Sequence, residues 1–186
     1  MFSCANPIFR KTAMLDADCE RPPKLYRYAE HQSLERSLTL GEFRLQPAAE
    51  EKTASPQILP FQSSAARAMP ASAYLTLSLS KTWDVQLFDA FPDADCCLII
   101  HDPEQFGERI HRAATKMLPT WAGIDAAISY GAPSPLGRAF SKNRQHANQQ
   151  EWLFAWRPTQ PAKALQSIVI QIGSIEEFAE LRGKIG

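Results

Sequence analysis

Along residues 74–80, Leu75, Leu77 and Leu79 alternate with Tyr74, Thr76, Ser78 and Ser80. A side-chain period of two is that of a strand with one buried face. The same alternation predicts a strand over 150–156, with Trp152, Phe154 and Trp156 on one side and Glu151, Leu153 and Ala155 on the other. Residues 96–101 form a continuous apolar run from Cys96 to Ile100, ending at His101. That is the pattern of a strand covered on both faces. Shorter alternating or β-branched segments predict further strands over 25–30, 42–46, 125–130 and 166–172.

Helical spacing appears between these strands. Leu34 and Leu38 lie four apart ahead of Gly41, which suits the position just past a helix end, and predict a helix over 31–40. Trp83, Leu87, Phe88 and Phe91 predict a short helix over 83–91. Asp102 followed by Pro103 is a helix start, and Phe106, Ile110, Ala113 or Ala114, and Met117 carry its apolar stripe until Pro119. Ser174 and Glu177 form a capping-box pattern, which with Phe178 and Leu181 predicts a closing helix ended by Gly183. About seven strands and three or four helices in irregular order indicate a mixed α+β domain built on largely antiparallel sheets. The expected core is Leu75, Leu77, Leu79, Ile99, Ile110, Trp152, Phe154, Val169 and Phe178.

Composition refines this picture in three places. The 186 residues amount to one domain over 24–186 behind a loosely ordered tail over 1–23. Residues 47–72 are rich in Ala, Ser and Gln and hold Pro47, Pro56, Pro60 and Pro70, and are expected to form a long irregular loop. With 20 Lys plus Arg against 20 Asp plus Glu, the chain lacks the cationic surplus that nonspecific nucleic-acid binding requires. Charges interrupt every short apolar cluster near the start, and no run approaches a membrane span, so a cytoplasmic protein without a membrane partner is expected. Cys4, Cys19, Cys96 and Cys97 form no CxxC pair, and with His31, His101, His111 and His146 they show no zinc spacing. No metal is expected.

Three polar features fall on the expected strands. Arg27 lies between Tyr26 and Tyr28. Ser78 and Ser80 lie on the polar side of the leucine strand. Gln149 and Glu151 open the tryptophan strand, just after Lys142, Arg144 and His146. In this order the set resembles the Arg–Ser–Glu class of ADP-ribosyltransferases, with Leu79 where that family usually has threonine. The resemblance implies an ADP-ribosyltransferase-like fold and NAD as co-substrate. It implies that Arg27 contacts NAD, Ser78 and Ser80 organise the pocket, and Glu151 drives ribosyl transfer to a protein acceptor. A second resemblance runs through Leu25-Tyr26-Arg27-Tyr28, Leu77 to Ser80, and Lys142 to Trp152. These segments are similar to a large bacterial family of small uncharacterised domains, which implies one intact domain but no activity.

The chemistry fits the first resemblance. Cleaving the nicotinamide–ribose bond passes through an oxocarbenium-like sugar, which a nearby carboxylate stabilises as in glycoside hydrolysis. Glu151 supplies that carboxylate, Gln149 lies where it orients an acceptor, and Arg27 offers a bidentate site for pyrophosphate. Taken singly, each feature also has a plain structural reading: a stacked strand arginine, a half-exposed serine strand, a glutamate at a strand end. A non-catalytic protein-interaction or inhibitor module therefore stands as the alternative. The two differ in whether Arg27, Ser78, Ser80 and Glu151 converge in one cleft.

Overall fold

A computed structural model of the protein describes residues 20–48, 74–160 and 165–184. The first five strands all belong to one antiparallel sheet: β1 (Leu25–Ala29), β2 (Glu42–Pro47), β3 (Leu75–Ser80), β4 (Cys96–Ile100) and β5 (Trp121–Ala127). Two more form a small parallel pair, β6 (Ser129–Tyr130) and β7 (Ser141–Lys142). The main sheet is completed by β8 (Glu151–Pro158), β9 (Ile168–Gln171) and β10 (Ala179–Gly183). The helices are α1 (His31–Leu40), α2 (Leu87–Ala90) and α3 (Pro103–Met117). This is the α+β, antiparallel-dominated class that the patterning indicates.

Strand β3 organises the sheet. One edge pairs with β8 along its whole length, from Leu75↔Trp156 to Ser80↔Glu151, and β8 in turn pairs with β5. The other edge is shared. β1 meets it at Tyr26↔Ser80, and β2 meets it at Gln46↔Thr76 and Pro47↔Leu75. Away from these points β1 pairs with β4 and β2 pairs with β9, so the two strands part from β3 and leave a seam along its middle.

Alternation assigns each strand's side chains to two faces. On the first face Leu25, Phe43, Leu45, Leu75, Leu77, Leu79, Leu98, Ile100, Trp152, Phe154 and Trp156 form the main core beneath α1 and α3. Helix α3 starts as its sequence requires, with the Asp102 side chain accepting from the Gln105 N–H at 2.9 Å, and buries Phe106, Ile110 and Ala114. Phe106 meets Phe43 and Phe154 edge-on at 5.2 and 5.6 Å. Helix α1 ends at Gly41 with φ 65°, where a Cβ would run into the Gly173 carbonyl. Only glycine suits that left-handed turn and close approach.

The second face is covered in two pieces. Tyr28, Leu87, Phe88, Ala94, Cys97 and Ile99 pack into one cluster around α2. Tyr74, Ala126, Ile128, Ala139, Phe140, Leu153 and Ala155 pack into another beneath residues 128–140. This is why Leu153 and Ala155 are as buried as the tryptophans opposite them.

Several expectations are corrected. The closing helix is replaced by β10, which completes the free edge of β4 with five residue pairs from Ala179↔Ile100 to Gly183↔Cys96. Ser174 caps only a tight turn, accepting from the Glu176 N–H at 3.3 Å, and the Glu177 carboxylate pairs with Arg109 instead. Val169 is 40% exposed, whereas Ile170 faces Phe43 and is buried, so the core phase of β9 is one residue later than expected. The strand expected over 125–130 begins earlier, at Trp121, and breaks at Ile128. Pro47 closes β2 rather than opening a loop, and the Ala48 N–H donates to the Tyr74 carbonyl at 2.9 Å. The rest of the expected loop, from 49 on, lies outside the described residues, as does the expected tail over 1–19.

Arg21, assigned to that tail, is held firmly. Its guanidinium donates to both oxygens of Asp125 at 2.7 and 2.8 Å and to Glu104 at 2.6 Å. His111 Nε2 lies 2.8 Å from Asp125, and the Trp152 indole N–H donates to it at 2.9 Å. Burial pushes the Asp125 carboxyl up, but the bonds from Arg21, His111 and Trp152 outweigh it and hold the group well below the usual carboxylate range.

Two stability predictions follow from this packing. Phe154→Ala, at a fully buried position, is expected to cost about 3–5 kcal/mol in urea unfolding. A loss under 1 kcal/mol would show that the main core is not packed as described. Arg21→Met strands a buried carboxylate and is expected to cost roughly 3–5 kcal/mol at neutral pH. Because folding depresses the Asp125 pKa, the stability it contributes is complete above about pH 4 and is lost as pH falls through the folded value. The difference in urea midpoint between wild type and Arg21→Met therefore narrows as pH drops from about 4. A pH-independent difference would assign the loss to packing alone.

Candidate functional site

Between the two coverings of the second face lies a cleft of about 670 Å³. That is within the roughly 300–1,000 Å³ of small-molecule sites. Its floor is the polar side of β3 and the start of β8, and it extends to the seam where β1 and β2 leave β3. Arg27, Ser78, Ser80, Gln149 and Glu151 all line it.

Glu151 is its most constrained member. It opens β8, directly after Gln150, whose φ of 42° ends the 3-10 turn Arg144–Gln149. Its residue is only 6% exposed. Ser78 Oγ donates to Oε1 at 2.5 Å and Tyr130 Oη donates to Oε2 at 3.0 Å. Lys142 Nζ lies 2.9 Å from Oε1 and 2.8 Å from Oε2. Tyr130 Oη also accepts from the Glu151 backbone N–H at 2.9 Å, so one phenol fixes both ends of the residue. The short β6–β7 pair explains the convergence, since Tyr130 and Lys142 are register partners across it. Burial, with the adjacent Glu151 charge adding to it, pushes the Tyr130 phenol above its ordinary range and keeps it a donor.

The other expected residues take different positions from those anticipated. Ser80 lies opposite Glu151 in the ladder, but its hydroxyl does not bond the carboxylate. Its Oγ lies 2.9 Å from the Gln149 carbonyl and 3.0 Å from the Thr82 carbonyl, so it secures the turn that delivers Glu151. Gln149 lies on the 3-10 turn rather than on the strand. Arg27 shares the first face with Leu25, not the polar face of Ser78 and Ser80. Its guanidinium sits 5.6 Å from the Phe43 ring centroid, next to the seam, and Nη1 is buried with no hydrogen-bond partner. Burial lowers its pKa to about 10. Arg27 and Glu151 thus border one cleft from opposite faces of the sheet.

Sequence pattern gives Tyr130 and Lys142 no part in the site. Nothing local marks either one, because their role arises from a parallel pairing across ten intervening residues. The cleft is strongly cationic: Arg27, Arg44, Arg138 and Lys142 line it, and Glu151 is the one carboxylate in its lining among the described residues. Tyr26, Tyr28 and Phe91 form its aromatic end. The combination suits a ligand with both anionic and planar apolar parts. Among the described residues no group of three or more metal-ligating side chains occurs, and no helix is long and apolar enough to cross a membrane.

Tyr130→Phe is expected to leave the buried Glu151 N–H without its acceptor and to cost about 1–3 kcal/mol in chemical denaturation. An unchanged stability would mean that water replaces the phenol and that Glu151 is less enclosed than its contacts indicate. No family model, curated protein or solved structure matches this chain.

Proposed function

We propose that this protein is an NAD-dependent ADP-ribosyltransferase or NAD glycohydrolase in which Glu151 stabilises the ribosyl cation. The observation that carries the reading is the Glu151 carboxylate held by Ser78 and Tyr130 in a cleft whose other charged lining, among the described residues, is cationic. The positive lining favours a diphosphate, and the aromatic end offers Tyr26 and Phe91 to a planar base or to nicotinamide. With NAD bound, the bond from ribose C1′ to the nicotinamide nitrogen breaks, and its electron pair leaves with the nicotinamide. The sugar becomes an oxocarbenium ion beside Glu151. Water or an acceptor group then bonds to C1′ and loses its proton to solvent, giving nicotinamide and ADP-ribose or an ADP-ribosylated product. Ser78 and Tyr130 hold the carboxylate before the cation develops, so little reorganisation accompanies the reaction.

A second reading has its own observation. Glu151 is already paired by Lys142, as a purely structural buried carboxylate would be. On that reading the cleft binds an anionic partner without chemistry.

Nicotinamide release from NAD, followed by chromatography, together with NAD titration by calorimetry, separates the two. Glu151→Gln is expected to keep NAD binding within about threefold and to lower turnover by two orders of magnitude or more, because the lost charge matters only as the cation forms. Arg27→Ala is expected to act mainly on affinity. Wild-type binding without nicotinamide release would leave the non-catalytic module, and absence of binding would dismiss NAD as the ligand.

A further inference from the structure

A second groove, of about 470 Å³, lies far along the sheet between α3 and β9. One wall is the helix face carrying Arg109, Arg112, Ala113, Lys116 and Met117. The other is β9 from Val169 to Gln171, continuing to Ile172. Strand β9 ends the sheet order, and among the described residues only β2 pairs with it. The Ile172 N–H donates to the Gly41 carbonyl at 2.9 Å, which fixes the phase of the ladder. Backbone groups of Ile168 and Ile170 therefore point to β2, and those of Val169 and Gln171 point to the open edge. Val169 is 40% exposed and Met117 59% exposed.

The two walls match in length. Four residues of β9 span about 13 Å, and the helix from Arg109 to Met117 rises about 12 Å. Arg109, Arg112 and Lys116 are spaced three and four apart, so they share one side of α3. Arg109 is committed to Glu177 and to the Ser174 carbonyl. Among the described residues, Arg112 has only an exposed ion-pair contact to Glu108 at 3.8 Å, which is weak. Arg112 and Lys116 thus present positive charge beside an unpaired strand edge and two exposed apolar side chains.

We propose that the groove between α3 and β9 takes an extended, acidic segment of a partner protein as an added antiparallel or parallel strand. Main-chain bonds to Val169 and Gln171 supply affinity, and Arg112 and Lys116 select carboxylates. The charge also decides against a second copy of this chain, since pairing two β9 edges brings the same cations towards one another. The groove is separate from the cleft that holds Glu151, and the proposal does not depend on any activity there.

The test uses the full chain and a fluorescein-labelled peptide of alternating Glu and Thr, read by anisotropy. Its controls are a peptide of alternating Lys and Thr, and the acidic peptide N-methylated at alternate residues. The acidic peptide is expected to bind, more weakly as salt rises, and both controls to fail. The double substitution R112E/K116E is expected to lower affinity about tenfold. Gln171→Pro removes an outward N–H while sparing the ladder to β2, and is expected to weaken binding similarly. The N-methylated peptide tests strand pairing without altering the protein. Failure of the acidic peptide to bind, equal binding of the N-methylated peptide, or indifference to R112E/K116E would overturn the proposal. Concentration-dependent dimers abolished by Gln171→Pro would overturn it in favour of a second copy.

Discussion

Two strands compete for one edge of β3, and most of the architecture depends on how that competition is resolved. β1 takes the Ser80 end, β2 takes the Thr76 end, and neither runs along the middle. Each then finds a different second partner, β4 or β9, so the sheet divides into two arms with a seam between them. On the first face α1 and α3 bridge the arms with a continuous apolar core. On the second face no helix among the described residues crosses; one cluster covers the β1–β4 arm and another covers β8 and β5. The cleft is the space left between these clusters, and the floor beneath it is the polar side of β3.

A polar floor at that depth requires compensation. A buried carboxylate is costly unless it is paired and hydrogen-bonded. Glu151 meets this requirement through Ser78, Tyr130 and Lys142, three residues from three separate strands. The Asp125 cluster on the other face follows the same rule with Arg21, His111 and Trp152. The two differ in surroundings. Asp125 is enclosed by α3 and by the segment before β1, and serves to fasten that segment. Glu151 borders an open volume lined by further cations, and only there does the charge arrangement leave room for a ligand.

The sheet has two openings for unrelated reasons. The cleft arises where strands diverge and is lined by side chains. The groove between α3 and β9 arises where the sheet order ends. At the opposite end of the sheet, β10 pairs along the outer edge of β4.

Local patterning by itself determined the strands carried by Leu75 to Ser80, Cys96 to Ile100 and Glu151 to Trp156, the helices after Glu30 and Asp102, and the α+β class. Each rests on near-neighbour spacing, which side-chain direction enforces without help from the rest of the chain. The order and polarity of Arg27, Ser78, Ser80, Gln149 and Glu151 were legible in the same way, and all five border the cleft. Long-range pairing decided the remainder. The capping pattern at Ser174 yields to a strand because the open edge of β4 offers five residue pairs. Alternation puts Arg27 on the same side as Leu25, but only the packing of Phe43 and the helices makes that side the core face. Tyr130 and Lys142 reach Glu151 only through the β6–β7 pairing, and Arg21 finds Asp125 across 104 positions of sequence. No local signal encodes such contacts, because their free energy exists only once the strands that carry them have come together.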